Sequence, residues 1–422
     1  MGSISHRGYE ERTSGYGRRR HKASGFKKKG SAAGTAAKAV VGLAVAVGAV
    51  ALVYLFADNI MPFVKSLRGE PKEVIETNAT VDTPDAQRTS NETGDTPEEL
   101  PLAEGCFDEV DGSIFISNGA GYKRFKGIDT TARNYAAVLN SVSRTLPSNV
   151  DIGCAVIPTN TEFGLDGRLE GSNSQKENIK LINTLLSDRV ASADVYGALL
   201  EHKNDYIFYR TDECLTSLGA YYVYNAVAQV SGIEQKDIYK LSDLSKKKYG
   251  ISPFEGSYID ATKEARKQPN GNQELFNNAD SLEYYKLPVH YDCFSVDPVT
   301  KEKEETDLFS DKNAAADPLS VFPGKDTPFL MIYNLQSSNT DKLLIVKDHA
   351  AEAVLGYLIP HYSEIYIADV SLYKGNIMDI ANEYSVTDVL FINGIDNANN
   401  SLYCQRLRDL FDNSISDQRI SQ

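Results

Sequence analysis

Leu343-Leu344-Ile345-Val346-Lys347-Asp348-His349 decides the fold. Four consecutive apolar residues run into a polar turn, and Ala350–Leu358 continues with apolar residues at helical spacing. A short run without polar alternation reads as a strand buried on both faces, the pattern of a parallel sheet covered by helices. The same unit repeats outward. Glu364–Ala368 and Asp388–Ile392 read as further strands, separated by a helix over Asn376–Tyr384. Upstream, Thr130–Leu146 reads as a helix through Ala132, Tyr135, Ala136, Leu139, Val142 and Leu146. Ile114-Phe115-Ile116 reads as a short strand, and Ile152–Ile157 as a buried one closed by Pro158. Ser174–Leu186 opens with Ser174 as cap and Glu177 at capping-box spacing. Tyr206–Tyr209 reads as another strand, followed by a helix over Ser217–Val230 that ends at Gly232. Strands alternating with helices predict an α/β fold of three layers around a mainly parallel sheet.

Composition sets the surroundings. The chain has 422 residues, is 41% hydrophobic and 24% charged, and carries a net charge of −14. Residues 1–38 hold ten Lys/Arg against Glu10 and Glu11, so the rest of the chain carries −22. An acidic body argues against nucleic-acid backbones as partners. Residues 39–57 contain no charge, and nineteen helical residues reach about 28 Å, enough for a hydrocarbon core of ~30 Å. The span is longer than a signal-peptide core and follows a long basic arm, which predicts an uncleaved transmembrane helix. The positive-inside rule then places 1–38 in the cytoplasm and the main domain outside. Residues 58–105, rich in Thr, Asp, Glu, Pro and Asn, predict an acidic disordered stalk. The α/β domain occupies 106–233 and 331–422. Between them, 234–330 loses the pattern and predicts an inserted irregular lobe. Five cysteines, an odd number, lack Cys-x-x-Cys spacing, and no His-x-x-x-His pair occurs, so neither metal nor cofactor is expected.

Tyr209-Arg210-Thr211-Asp212-Glu213-Cys214-Leu215-Thr216-Ser217-Leu218-Gly219 stands apart from the framework. Val156-Ile157-Pro158-Thr159, Gly256-Ser257-Tyr258, Glu283-Tyr284-Tyr285 and Leu343–Asp348 accompany it in the same order. Together they resemble the DHHW proteins, a bacterial cell-envelope family related to the SGNH hydrolases and alginate-type O-acetyltransferases. The family signature reads Arg-Thr-Asp-His-His-Trp-Thr-x-x-Gly. The resemblance implies an SGNH/flavodoxin-like domain whose serine stands at the end of the Lys-Asp-Ser strand. A His and an Asp of the signature would activate that serine. Here Asp212 remains, but Glu213, Cys214 and Leu215 replace His, His and Trp, and His349 replaces the serine. The family's Gly-Gly-Asn turn corresponds to Gly324-Lys325-Asp326, and an expected arginine to Ser371. By the resemblance, Asp212, Cys214 and His349 are the degenerate catalytic positions, with Arg210, Thr211, Glu213, Asp348, Asp326 and Ser371 around the cleft.

Three functions remain open at this level. Loss of the nucleophile points to a non-catalytic protein that binds a cell-wall or exported polysaccharide, or scaffolds its modification. Cys214, His349 and Asp212 could instead form an inverted acyl-transfer site, since a neighbouring imidazolium lowers a thiol pKa. A structural envelope protein without ligand is the third reading, with Cys214 a small buried replacement and His349 a polar helix start.

Overall fold

The computed structural model describes residues 101–107, 112–233, 238–248, 254–261, 274–309, 318–322 and 327–412. All belong to one compact unit, Gly94–Gln422. The basic arm, the 39–57 span and almost all of the stalk lie outside the described residues, as does Asp326. No described helix is long and apolar enough to cross a membrane.

The first strands, β1 (Cys106–Phe107), β2 (Ile114–Ser117) and β3 (Ala120–Lys123), form a small antiparallel sheet. The main sheet uses β4 (Asp151–Ile157), β5 (Ala191–Ser192), β8 (Tyr291–Val296), β9 (Lys303–Glu305), β10 (Phe329–Asn334), β11 (Lys342–Lys347), β12 (Glu364–Asp369) and β13 (Asp388–Gly394), while β6 (Ser245–Lys248) and β7 (Glu283–Lys286) pair as a separate ribbon. The main order is β5-β4-β13-β11-β12-β10-β8-β9. Strands β5 to β12 of that order run parallel, and β10, β8 and β9 add an antiparallel flank.

Side chains alternate faces along a strand. Val156, Leu344, Val346, Tyr366, Val389 and Phe391 therefore enter one core, with helices α1 (Asp129–Thr145), α2 (Gln175–Leu185), α8 (Ile377–Glu383) and α10 (Ser401–Leu410). Ile157, Leu343, Ile345, Ile365, Leu390 and Ile392 enter the other, with α3 (Val195–Glu201), α4 (Ser217–Val230) and α7 (Glu352–Leu358). The short helices α5 (Ser257–Ala261), α6 (Glu274–Asn277) and α9 (Ile395–Ala398) complete the set. This is the expected three-layer α/β fold. The caps agree with their chemistry: Ser174 accepts from the Glu177 amide at 3.2 Å, and Thr216 from the Gly219 amide at 3.2 Å.

Two expectations need correction. Tyr206–Tyr209 is not a sheet strand. Its backbone closes on the signature itself, with Thr216 donating to the Ile207 carbonyl at 3.0 Å and Tyr209 to the Cys214 carbonyl at 3.2 Å. The aromatic composition that suggests a strand reflects burial beside the sheet. Residues 234–330 are also not wholly a separate lobe, because β8 and β9 extend the main sheet. As flanking strands they face solvent in part and lack the continuous apolar run of the central ones.

Candidate functional site

Strand β11 lies where the topology reverses: the chain passes from β11 to β12 on one side, then returns to β13 on the other. Ligand sites of open α/β sheets form at the carboxyl ends of strands around such a point. Three strand ends meet there, at Ile157, Lys347 and Gly394.

Charge fixes the ends of β11 and β13. Lys347 is fully buried and pairs with Asp369 at 2.9 Å and Glu352 at 3.3 Å. Burial pulls its pKa down, but the two carboxylates outweigh burial and the net shift is upward. Asp348 accepts from the Ala350 amide at 3.0 Å, the Gly394 amide at 2.9 Å and Asn397 Nδ2 at 2.8 Å. It thus caps the turn carrying His349 and ties β11 to β13.

The signature is anchored from the opposite side. Buried Asp280 accepts from the Arg210 amide at 3.1 Å, Arg210 Nε at 3.2 Å and the Thr211 amide at 2.8 Å, and from the hydroxyls of Thr211 and Tyr206. Arg210 and Thr211 are therefore occupied in holding the loop. Asp212 accepts from the Cys214 amide at 3.0 Å and the Ser257 amide at 2.9 Å. Gly256 lets the inserted segment close over the signature, since a Cβ there would stand 2.3 Å from the Thr211 carbonyl oxygen.

Glu213, Cys214 and His349 line one cavity of about 60 Å³ with Pro158, Thr159 and Asp396. That holds a few atoms and not a sugar ring. Glu213 bridges Lys123 at 3.0 Å and His349 Nε2 at 3.6 Å. Burial opposes its ionisation, but the positive charge of His349 and the hydrogen bond and charge of Lys123 prevail and lower its pKa to about 2. The Glu213 carboxylate at 3.6 Å raises the pKa of His349 to about 9, although the ring is about half exposed to solvent (53%). Asp396 at the rim is pushed up to about 6 by desolvation of its carboxyl against the site and by the charge of Glu213, although the residue as a whole is exposed.

The carboxylate that meets the imidazole is Glu213, whereas the sequence suggested Asp212. The thiol shifts opposite to an activated nucleophile: burial and the neighbouring Asp212 raise the Cys214 pKa well above its ordinary value. Leu215 takes the tryptophan's place in the core. Ser371 is exposed, with its amide donating to Asp369 Oδ1 at 2.8 Å, and does not line the cavity. Among the described residues no group of three or more His, Cys, Asp or Glu is arranged to hold a metal ion. Lys123, Asp280 and Asp396 escape sequence reasoning, because their roles come from contacts between distant segments.

A family model described as "DHHW protein" matches residues 85–368. Among solved structures, a DHHW family protein from Eubacterium siraeum superposes with a TM-score of 0.61 at 26% identity, covering 70% of this chain and 94% of that one. Bacillus cereus PatB1, solved with a sulfonyl adduct, superposes with a TM-score of 0.55 at 18% identity, covering 69% and 97%. No curated protein matches the sequence. With the family pattern spanning more than half of the chain and the fold in agreement, the protein belongs to the DHHW family.

Proposed function

We propose that this DHHW protein is a single-pass, membrane-anchored component of the bacterial cell envelope whose inherited acyl-transfer centre is silent. Its domain lies outside the cytoplasm and binds a cell-surface glycan or scaffolds its modification. One observation carries the loss of chemistry: the strand end that should present a nucleophilic hydroxyl presents His349, ion-paired to Glu213 at 3.6 Å. An imidazole with a pKa of about 9 is protonated at neutral pH and is neither nucleophile nor base. PatB1 has been solved with a sulfonyl adduct, and sulfonylating groups mark activated nucleophiles. The signature turn here offers a thiol held in its protonated form.

The competing reading, an inverted Cys214–His349 acyl-transfer site, draws on both residues lining one cavity. A thiolate requires a cationic partner acting on the sulfur. The groups that shift Cys214 are burial, then the Asp212, Glu213 and Glu352 carboxylates, all opposing ionisation. Ester turnover by the purified full chain decides between the two. The silent site gives background hydrolysis of acetyl esters, unchanged in Cys214→Ala and His349→Ala. Turnover abolished by either substitution establishes the inverted site.

A further inference from the structure

A cleft of about 100 Å³ is built partly from the signature segment. Phe163, Phe208, Lys203, Asp205 and Arg210 line it, among others. Arg210 belongs to the same loop as Glu213 and Cys214, so one loop contributes both to this cleft and to the small cavity. The apolar wall comes from Phe163 and Phe208, whose rings lie nearly parallel with centroids 6.2 Å apart. Lys203 and Asp205 belong to the turn that follows α3, and both are exposed. An apolar wall with a few convergent polar groups is the usual make-up of a small-molecule site.

Two of the polar groups are held in place. Asp205 Oδ2 lies 3.0 Å from His202 Nδ1 and accepts from the Tyr222 hydroxyl at 3.1 Å, and those two rings stack with centroids 3.5 Å apart. The carboxylate is thus oriented, with Oδ1 outside both contacts. Arg210 donates through Nε to Asp280 and through a terminal nitrogen to the Ala279 carbonyl, each at 3.2 Å. A guanidinium has five N–H donors, so these two bonds fix its plane and leave other donors to the cleft. A further observation is independent of the lining. Tyr206 is 38% exposed, yet its ring is tied down. Its hydroxyl donates to Asp280, its centroid lies 5.1 Å from the Arg210 guanidinium carbon, and it meets Tyr209 edge to face at 6.2 Å. An exposed aromatic ring already immobilised offers contact area with little further loss of rotamer freedom.

We propose that this cleft and Tyr206 form a subsite for an uncharged sugar residue of an envelope polysaccharide, with the sugar's C–H face against Tyr206 and its hydroxyls shared among Lys203, Asp205 and Arg210. Lys203 and Arg210 only donate, and an ionised Asp205 only accepts. A sugar hydroxyl does both and matches the mixture, whereas an anionic sugar meets Asp205 and a cationic one meets Lys203. The volume of about 100 Å³ admits one edge of the sugar and leaves the rest of the polysaccharide outside. The inference rests on the envelope-glycan reading above and names the kind of sugar and where it binds.

The test is a calorimetric titration of the full chain in detergent with maltotriose, cellotriose and tri-N-acetylchitotriose, all uncharged. Saturable binding of at least one is expected, and none of trigalacturonic acid, which is anionic. Lys203→Met and Asp205→Ala should each weaken it about tenfold or more, the cost of losing a hydrogen bond to a charged group. Both residues are exposed, and Lys203→Met keeps the fold even if loss of the Asp205 contacts loosens the turn. No saturable binding of any trisaccharide, equal binding of trigalacturonic acid, or binding that either substitution leaves unchanged overturns the proposal. Retention of the full chain on purified bacterial cell walls separates the two readings. Walls that retain the protein while no trisaccharide binds sink this inference alone; walls that fail to retain it sink the envelope-glycan reading and this inference with it.

Discussion

Both ends of the parallel strands carry charged side chains and use them differently. At the carboxyl end charges are balanced internally: Lys347 between two carboxylates, Asp348 under three donors, Glu213 between Lys123 and His349. The remaining cavity is about 60 Å³. At the amino end Asp341 and Asp388 line an open cleft with His361 and, among the described residues, no lysine or arginine. Unpaired buried hydroxyls occur at both ends, that of Tyr209 in the signature segment and that of Tyr362 at the amino end.

Removing the central cation should break the balanced end most severely. Lys347→Met removes the buried cation between Asp369 and Glu352, and about 3–5 kcal/mol of stability should be lost in urea unfolding. A loss below about 1 kcal/mol would show that the carboxyl end is not held by this triad. Gly256→Ala should cost about 1–3 kcal/mol, since the added methyl meets the Thr211 carbonyl. An unchanged midpoint would mean that the insertion does not clamp the signature. Asp396→Asn should have the smallest effect. The folded pKa of Asp396 is raised to about 6, so its contribution to stability is present at low pH and lost as pH rises through that value. The substitution should stabilise at pH 8, by less than about 1 kcal/mol because the residue is exposed and screened. Destabilisation at pH 8 would contradict its placement against Glu213.

The same contrast explains what the sequence discloses. Central strands such as Leu343–Val346 are legible because burial on both faces removes polar alternation. Tyr291–Val296 is a flanking strand with partly exposed positions, and its pattern dissolves into apparent irregularity. Tyr206–Tyr209 has strand composition, but its backbone bonds are taken by the turn it belongs to. Cys214 and His349 are found from the sequence because strand end and signature fix their positions. The Asp280 clamp, 70 positions from Arg210, and the Lys123–Glu213 pair, 90 positions apart, leave no local trace.

The ownership of His349 tests the account most directly. Its raised pKa means that the ion pair's contribution is full below the ordinary imidazole value of 6.5 and fades as pH rises through about 9. Glu213, lowered to about 2, ionises well before that window and loses its contribution only in strong acid. A titration of the His349 ring by NMR in the full chain should therefore give a midpoint near 9, falling toward 6.5 in Glu213→Gln and unmoved in Asp212→Asn. An ordinary midpoint in the native protein, or one governed by Asp212 and not Glu213, would contradict the ion-paired site and restore the inverted one.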